Sequence, residues 1–474
     1  LSKEHLQSQL PLYTILEEHR QQERFSVHVP GHKNGLNWPN LPAFATDFLA
    51  FDQTEVTGLD YLHAPTGVLQ ESQALLSQLY GSKRSFFLVN GSTVGILSMI
   101  LGTVQKNDPV FVMKNAHQSV FHGLAMAAAT PIFLTPEMDE EKQTMVGLAP
   151  ALLAEAIATY PAAKVLILTY PNYYGQTYDL KALIHLAHAH DICVLVDEAH
   201  GAHLIVSEEL PKSATQLGAD VVVQSAHKML PAMTQAAYLH VMTSRVSERK
   251  IAQYLHQLQT SSPSYLLMLS LDIARQFAGT FTKEDWAYTK KQNQKWRALF
   301  EAAGLMVWQP DDLMKLIVFK EAVSGSALAT FLEKDGLYAE MADATKVVLT
   351  LPLLKVGQVV KRPSLTQTMA SLKEYSAASA VLPYGQWQPV AMSLLALTYQ
   401  EQAERAVESI QLAQAVQRVV AENITIYPPG IPFKVAGEVL TAADIVQIAD
   451  WRRKGLRVVG LDAATTELAV YLLD

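Results

Sequence analysis

Lys228 closes the run Ser225-Ala226-His227-Lys228, which follows the apolar triplet Val221-Val222-Val223. At the end of an apolar strand a lysine is poorly placed as a solvated charge, and burial lowers its pKa toward the free amine that attacks an aldehyde. A Schiff-base lysine needs that property; the plain alternative is a surface lysine in a strand-to-loop turn. Upstream, the apolar run Val194-Leu195-Val196 ends in Asp197-Glu198-Ala199-His200. A carboxylate at a strand end can pair with a protonated pyridine nitrogen and keep the ring cationic, so that it draws electrons from a carbanion. Taken singly, Asp197 reads more simply as a helix cap or an ion-pair partner. Side chains at adjacent strand positions point opposite ways, so only one of Asp197 and Glu198 can face such a ring. We expect Asp197 to do so and Glu198 to matter much less.

The third element is Asn90-Gly91-Ser92-Thr93-Val94-Gly95, between a strand and a helix. Two hydroxyls and the unpaired N–H groups of a helix N-terminus suit a phosphate dianion, although Ser92 alone reads as a plain N-cap. Ser225 and His227 add two donors for the same group. Asn115-Ala116-His117-Gln118-Ser119 follows another strand, where a doubly wound sheet turns its strand ends toward the ligand crevice. The His117 imidazole could stack on a planar ring, or could simply cap the next helix. An amine for an aldehyde, a carboxylate for a pyridine nitrogen and a cradle for a phosphate together describe a site for pyridoxal 5′-phosphate (PLP).

Those positions require a particular scaffold. Short β-rich runs at 85–89, 110–114, 131–135, 164–169, 192–197, 221–225 and 236–242 alternate with helical spacing at 93–104, 118–128, 151–157 and 180–190. This is the pattern of a parallel sheet covered on both faces. The fold class expected is therefore α/β, doubly wound, with a mostly parallel seven-stranded sheet. A long helix over 285–303 opens a smaller α/β domain, with strands at 305–308, 316–319 and 347–352 and helices over 327–333 and 365–380. The segment Tyr427-Pro428-Pro429-Gly430-Ile431-Pro432 reads as a rigid loop. The domains expected are 1–285, an N-terminal segment with the large cofactor-binding domain; 286–390, a small α/β domain; and 391–474, a C-terminal domain.

The formal net charge of −8 and a pI near 6.0 argue against nucleic acid as a partner, which needs a basic face. The single cysteine, Cys193, lies in an apolar run, reads as core and leaves no disulfide framework, which suits the cytoplasm. The start, Leu1-Ser2-Lys3-Glu4, lacks the basic and then apolar pattern of a signal peptide. The uncharged stretch from Ser85 to Gln105 reaches span length, but Asn90-Gly91-Ser92-Thr93 interrupts it, so it reads as strand, loop and buried helix. No membrane association is expected.

In ordered motifs along nearly its whole length the chain resembles the bacterial ornithine/lysine/arginine decarboxylases, fold-type I PLP enzymes. The matches are Val29-Pro30-Gly31-His32-Lys33, Gly58-Leu59-Asp60-Tyr61-Leu62-His63, Val89-Asn90-Gly91-Ser92-Thr93, Tyr173-Tyr174-Gly175, Asp197-Glu198-Ala199-His200-Gly201, Ser225-Ala226-His227-Lys228, Tyr338-Ala339-Glu340-Met341-Ala342-Asp343 and Tyr427-Pro428-Pro429-Gly430. The resemblance implies PLP as cofactor, Lys228 as its Schiff-base lysine, and Asp197 as partner of the pyridine nitrogen. It implies His117 on one ring face and the small Ala199 on the other, with the phosphate held by the Gly91-Ser92-Thr93 turn, Ser225 and His227. His200 would sit near the phenolic oxygen or the substrate carboxylate. Glu55, Asp60, Glu340 and Asp343 are the candidates for reading the far end of a basic amino acid. Larger members carry an N-terminal wing used in ring assembly; this chain enters directly at the catalytic motifs, so a homodimer with shared active sites is the expected unit. Tyr61 stands where the family often has a second acidic residue, and Ala226 replaces a common threonine.

Other readings stay open at this point. The sheet, lysine and aspartate serve an aminotransferase, lyase or aldolase equally well, and a non-catalytic PLP-binding protein could keep them all. A helicase reading of Asp197-Glu198-Ala199-His200 requires a phosphate loop of the Gly-x-x-x-x-Gly-Lys-Ser/Thr type, which the sequence lacks. The histidines at 185, 188, 190, 200 and 203 show no metal-ligand spacing; His185 and His188 read as a solvated helix face.

Overall fold

The structure, a computed structural model, describes residues 3–21, 30, 32–33, 48–375, 390–427, 431–453, 456–462 and 464–472. Val29 and Gly31 of the first motif, Pro428-Pro429-Gly430 of the last, and positions 376–380 of the helix expected over 365–380 lie outside these residues. The strands of the first half are β1 (Arg84–Leu88), β2 (Pro109–Met113), β3 (Thr130–Leu134), β4 (Met138–Asp139), β5 (Thr144–Met145), β6 (Val165–Thr169), β7 (Cys193–Asp197), β8 (Val221–Gln224) and β9 (Ala237–Val241). By its contacts the chain divides into two units, residues 1–103 with 193–282, and residues 104–192 with 283–474.

In the first unit the strand order is β1-β9-β8-β7. β7 and β8 are parallel, with Asp197 opposite Val223, while β9 is antiparallel to both β8 and β1. All four residues of β8 and all five of β9 are buried. Strands covered on both faces read as continuous apolar runs rather than alternating ones, which is why this part was legible. The helix Gly91–Thr103 packs directly on the sheet. A Cβ at Gly95 would fall 2.7 Å from Leu88 Cδ1 and 2.9 Å from Val223 Cγ1, so glycine is what lets the helix come this close. On the helix Tyr265–Gly279 the fully buried Arg275 pairs with the fully buried Asp272 at 2.8 Å. Arg275 also donates to the Gln7 carbonyl at 2.9 Å, and Asp272 accepts from the Leu12 N–H. Burial of such a pair is tolerated because its hydrogen-bonding capacity is used, and it ties the helix Pro11–Gln21 to this unit.

In the second unit the order is β6-β2-β3-β14, where β14 is Met392–Leu394. β2 is parallel to β6 and β3, and β14 is antiparallel to β3. Between them the two orders hold the seven strands expected and β14 at an edge, and each order mixes parallel and antiparallel pairs. A four-stranded antiparallel sheet is ordered β10-β11-β13-β12, from β10 (Met306–Trp308), β11 (Lys315–Phe319), β12 (Met341–Ala342) and β13 (Lys346–Thr350). Toward the C-terminus β15 (Val407–Gln411) pairs with β19 (Glu467–Tyr471), and β16 (Ile424–Tyr427) lies between β17 (Ile431–Lys434) and β18 (Arg457–Val459). These surround a core of Trp451, Phe433, Ile424 and Leu440.

Two expectations need correction. The flanks of the 427–432 segment belong to the antiparallel pair β16 and β17, with Thr425 opposite Pro432; proline is tolerated because β17 is an edge strand. Cys193, expected in the core, is half-buried at the start of β7, and burial together with Asp220 raises its thiol pKa.

Candidate active site

The parallel ladder of β7 and β8 continues past the strands. Beyond the Asp197 and Val223 pair, the Glu198 N–H donates to Val223 O at 2.9 Å and the Ser225 N–H to Ala199 O at 3.3 Å. Residues 197–200 and 224–228 therefore leave the sheet side by side. Ser225 is extended and completely buried, and Ala226–Met229 form one helical turn. Lys228 thus sits on a helical turn rather than in a loop, half-buried, with its Nζ 3.2 Å from His200 Nε2. One of these nitrogens donates and the other accepts, so a proton can be shared between them. His200 is 7% exposed.

Asp197 ends β7 and is 3% exposed; its Oδ1 accepts from the Ala199 N–H at 3.1 Å. Glu198 is fully buried and faces elsewhere, as strand alternation requires. It accepts from Ser213 Oγ at 2.7 Å, the Ala214 N–H at 2.7 Å and Gln224 Nε2 at 2.6 Å. Burial, partly opposed by these donors, pushes its carboxyl pKa up to about 7. Its truncation would leave three buried donors without an acceptor, so Glu198 carries a stability role that the sequence did not show.

Gly91 has φ of 78°, a conformation open to glycine at little cost, and its N–H is spent on Gln235 O at 2.9 Å. It contributes the turn, and the donors are the groups that follow it. Ser225 Oγ lies 2.9 Å from Ser92 Oγ, a contact made possible by the close packing of Gly95 on Val223. Thr93 is exposed in the first helical turn. His227 Nδ1 is 3.0 Å from Ala236 O and must donate to it, so its Nε2 carries a hydrogen only when the ring is a cation.

In the second unit His117 follows β2 as N-cap of the helix Gln118–Met126. Its Nδ1 accepts from the Ser119 N–H at 3.3 Å and lies 2.9 Å from Ser119 Oγ, which fixes the ring orientation and leaves the hydrogen on Nε2 in the neutral form. Capping and ring stacking are compatible uses of one imidazole.

The acidic candidates separate by what already occupies them. Asp60, 9% exposed, accepts from the N–H groups of Tyr61, Thr66, Gly67 and Leu69 at 2.8–3.0 Å, at the start of the helix Val68–Tyr80. Asp343 takes Tyr174 OH at 2.7 Å, Lys346 Nζ at 2.9 Å and the Thr345 and Lys346 N–H groups. Glu340 and Glu55 are exposed; Glu340 accepts from Tyr173 OH at 2.9 Å and Glu55 from Thr54 Oγ1 at 2.6 Å.

The first unit's donors suit PLP. The paired hydroxyls at a helix N-terminus suit a phosphate, the half-buried amine of Lys228 suits an aldehyde, and the buried carboxylate of Asp197 suits a ring N–H. Sequence reasoning missed the Glu198 cluster. Its signal was present in Gln224 and His240, polar residues inside otherwise apolar strands.

The sheet order and these donors are those of a fold-type I PLP enzyme. Residues 10–359 match the Orn/Lys/Arg decarboxylase major domain, and residues 379–450 match that family's C-terminal domain. The chain is 39% identical over 454 residues to the uncharacterized protein YaaO of Bacillus subtilis (strain 168), covering 93% of each. It is 31% identical over 484 residues to the arginine decarboxylase of the same organism, covering 98% of this chain and 97% of the relative. Lysine decarboxylase A from Pseudomonas aeruginosa shares the fold, with a TM-score of 0.81 at 19% identity over 99% of this chain and 81% of its own. The chain belongs to the Orn/Lys/Arg decarboxylase family, the PLP-dependent decarboxylases of basic amino acids.

Proposed function

We propose that this chain decarboxylates a basic amino acid, arginine, lysine or ornithine, with Lys228 as the lysine that holds PLP. Arginine is the substrate to test first, because relatives that align nearly end to end at 30–31% identity carry the name arginine decarboxylase. The observation that carries the site assignment is the side-by-side exit of residues 197–200 and 224–228, which puts an amine, an imidazole and a buried carboxylate on two hydrogen-bonded segments.

When bound, PLP supplies an aldehyde for the substrate amine and a ring that accepts electrons from the α-carbon as CO2 leaves. The residues do the rest. Ser92, Thr93 and Ser225 hold the phosphate from the helix start, with His227 beside them, and the Gly91 turn aims their donors. Asp197, screened from water, keeps a proton on the ring nitrogen. His117, its ring locked by Ser119, would supply the imidazole that stacks on the cofactor ring, and the small side chain of Ala199 would leave that ring room. Lys228 would serve as the acid that returns a proton to the α-carbon, and His200 at 3.2 Å would exchange that proton with it.

In deuterated water, the protein with PLP and arginine, lysine or ornithine is expected to yield CO2 and an amine carrying one deuteron at the former α-carbon. A keto acid with the carboxyl group retained would mark an aminotransferase, and a fragmented side chain another lyase. Cofactor retained without release of CO2 from any basic amino acid would overturn the reading in favour of a non-catalytic PLP binder.

The distal cation of the substrate needs a carboxylate whose capacity is not already taken. This favours Glu340 and Glu55 over Asp60 and Asp343. Glu340→Gln or Glu55→Gln is expected to raise KM roughly tenfold with little change in melting temperature, the scale of one charge-assisted hydrogen bond. Asp60→Asn and Asp343→Asn should instead lower the melting temperature. An unchanged KM in both glutamate variants would remove them as specificity residues.

The cellular setting is inferred from chemistry. A lone cysteine suits the cytoplasm, and among the described residues no helix is long and apolar enough to cross a membrane. The amines released are those from which polyamines are built, which supports a place in polyamine metabolism. We read the functional unit as a homodimer with shared active sites and the domains as 1–285, 286–390 and 391–474; sedimentation of the purified protein tests the first, limited proteolysis the second.

A further inference from the structure

We propose that Glu198 is a positioning residue for the cofactor site: its carboxylate clamps the end of β8 through Gln224, so that Asp197 and Lys228 keep their spacing. The inference rests on the assignment of those two residues to PLP.

The clamp has two parts. Residue 198 is bound to the end of β8 by its backbone, donating to Val223 O, and by its side chain, accepting from Gln224 Nε2 at 2.6 Å. Gln224 directly precedes Ser225 and the Lys228 turn, whereas Glu198 directly follows Asp197. The other carboxylate bonds, from Ser213 Oγ and the Ala214 N–H, anchor the clamp on a third segment. Gly201 makes room for it, because a Cβ there would lie 2.4 Å from Glu198 Cγ.

Glu198 also sets the polarity of a longer chain of hydrogen bonds. Because Gln224 donates to it, the Gln224 carbonyl must accept from His240 Nε2–H at 3.1 Å. His240 Nδ1, which lies 2.7 Å from Ser85 Oγ, must then accept from that hydroxyl, and Ser85 Oγ in turn lies 2.7 Å from Ser82 Oγ. Burial pushes the pKa of His240 down to about 3, so the ring has the one hydrogen this arrangement needs. An amide at position 198 keeps the volume, but the Ala214 backbone N–H can only donate and so holds the amide oxygen on its side, which leaves the NH2 facing the Gln224 NH2, and two donors cannot bond. Relief requires the Gln224 amide to flip and His240 to change tautomer, which loosens the end of β8. A carboxylate moved to position 224 restores a donor facing an acceptor at both contacts: the amide at 198 donates to it, and it accepts from His240 Nε2–H.

The test compares wild type, Glu198→Gln and the exchange variant Glu198→Gln with Gln224→Glu. Three quantities are read: the dissociation constant for PLP, the pH titration of the bound cofactor's absorbance, and the melting temperature of the cofactor-free protein. We expect Glu198→Gln to bind PLP roughly tenfold or more weakly and to shift the absorbance titration, with kcat falling more than KM rises. The exchange variant should recover most of both. Should Glu198→Gln not fold, Gln224→Ala, which leaves the carboxylate its other two donors, is expected to show the same loss of PLP affinity. An unchanged PLP dissociation constant and titration in the folded single variant overturn the clamp. So does an exchange variant that regains the melting temperature but not PLP affinity, since that is the behaviour of a purely structural pair. Borohydride labelling of wild type separates the failures: a label away from Lys228 defeats the underlying assignment, whereas a label on Lys228 with unaltered affinity in the variants defeats the clamp alone.

Discussion

Lys228→Ala is expected to give a folded protein that binds PLP without a covalent link and decarboxylates basic amino acids slower by roughly a thousandfold or more, the scale of losing a nucleophile and a proton donor together. The fold should persist because Lys228 is only half-buried, while the contacts that shape its turn belong to neighbours: Ser225 Oγ on Ser92 Oγ, and the buried Ala226. His200 would lose its partner at 3.2 Å. Borohydride reduction of the wild-type protein followed by peptide mapping checks the assignment. A label on any other lysine, or a Lys228→Ala variant that keeps wild-type turnover, would sink it.

The second large effect is expected at Asp197. Asp197→Ala should lower kcat/KM by about 100- to 1000-fold, the range for removing one preorganised electrostatic partner from a water-excluded site, and should weaken PLP retention. Its measured contrast is with Glu198→Ala. Truncating Glu198 orphans three buried donors at a cost on the order of 3 kcal/mol of stability, so that variant should melt well below wild type. Asp197→Ala should melt closer to wild type than Glu198→Ala does, because the Ala199 N–H that its Oδ1 accepts lies two residues on in the same segment rather than on a distant one. Thermal melts of the cofactor-free proteins beside the kinetics separate the two. Equal activity losses with both melting temperatures unchanged would refute the opposed orientation of the two carboxylates.

Long-range contacts divide what could be read in advance from what could not. The seven strands expected were legible because each is a short, largely buried apolar run, and the ladder from Val221 to Gln224 is apolar until its last residue. The edge strand Met392–Leu394 was not legible: its residues are half-buried or exposed, and it exists by pairing with Leu134, Phe133 and Ile132, more than two hundred and fifty positions away. At the flanks of the 427–432 segment, Tyr427, Ile431 and Pro432 lie in strands where proline suggested loop, because an edge strand accepts it.

For the site, the sequence alone determined the chemical inventory. Lysine and aspartate at strand ends, hydroxyls at a helix start and histidine after a strand are properties of residue type and local position, and both are visible in the linear chain. Tertiary structure alone decided how each group is occupied. Asp60 and Glu340 look alike as letters; the first is surrounded by four backbone N–H groups and the second accepts a tyrosine hydroxyl at the surface. Asp197 and Glu198 are neighbours, and what separates them is that Ser213, Ala214 and Gln224 converge on only one of the two. A carboxylate's role depends on which donors reach it, and those donors come from residues 15, 16 and 26 positions away along the chain, brought close only when β7 and β8 lie in register.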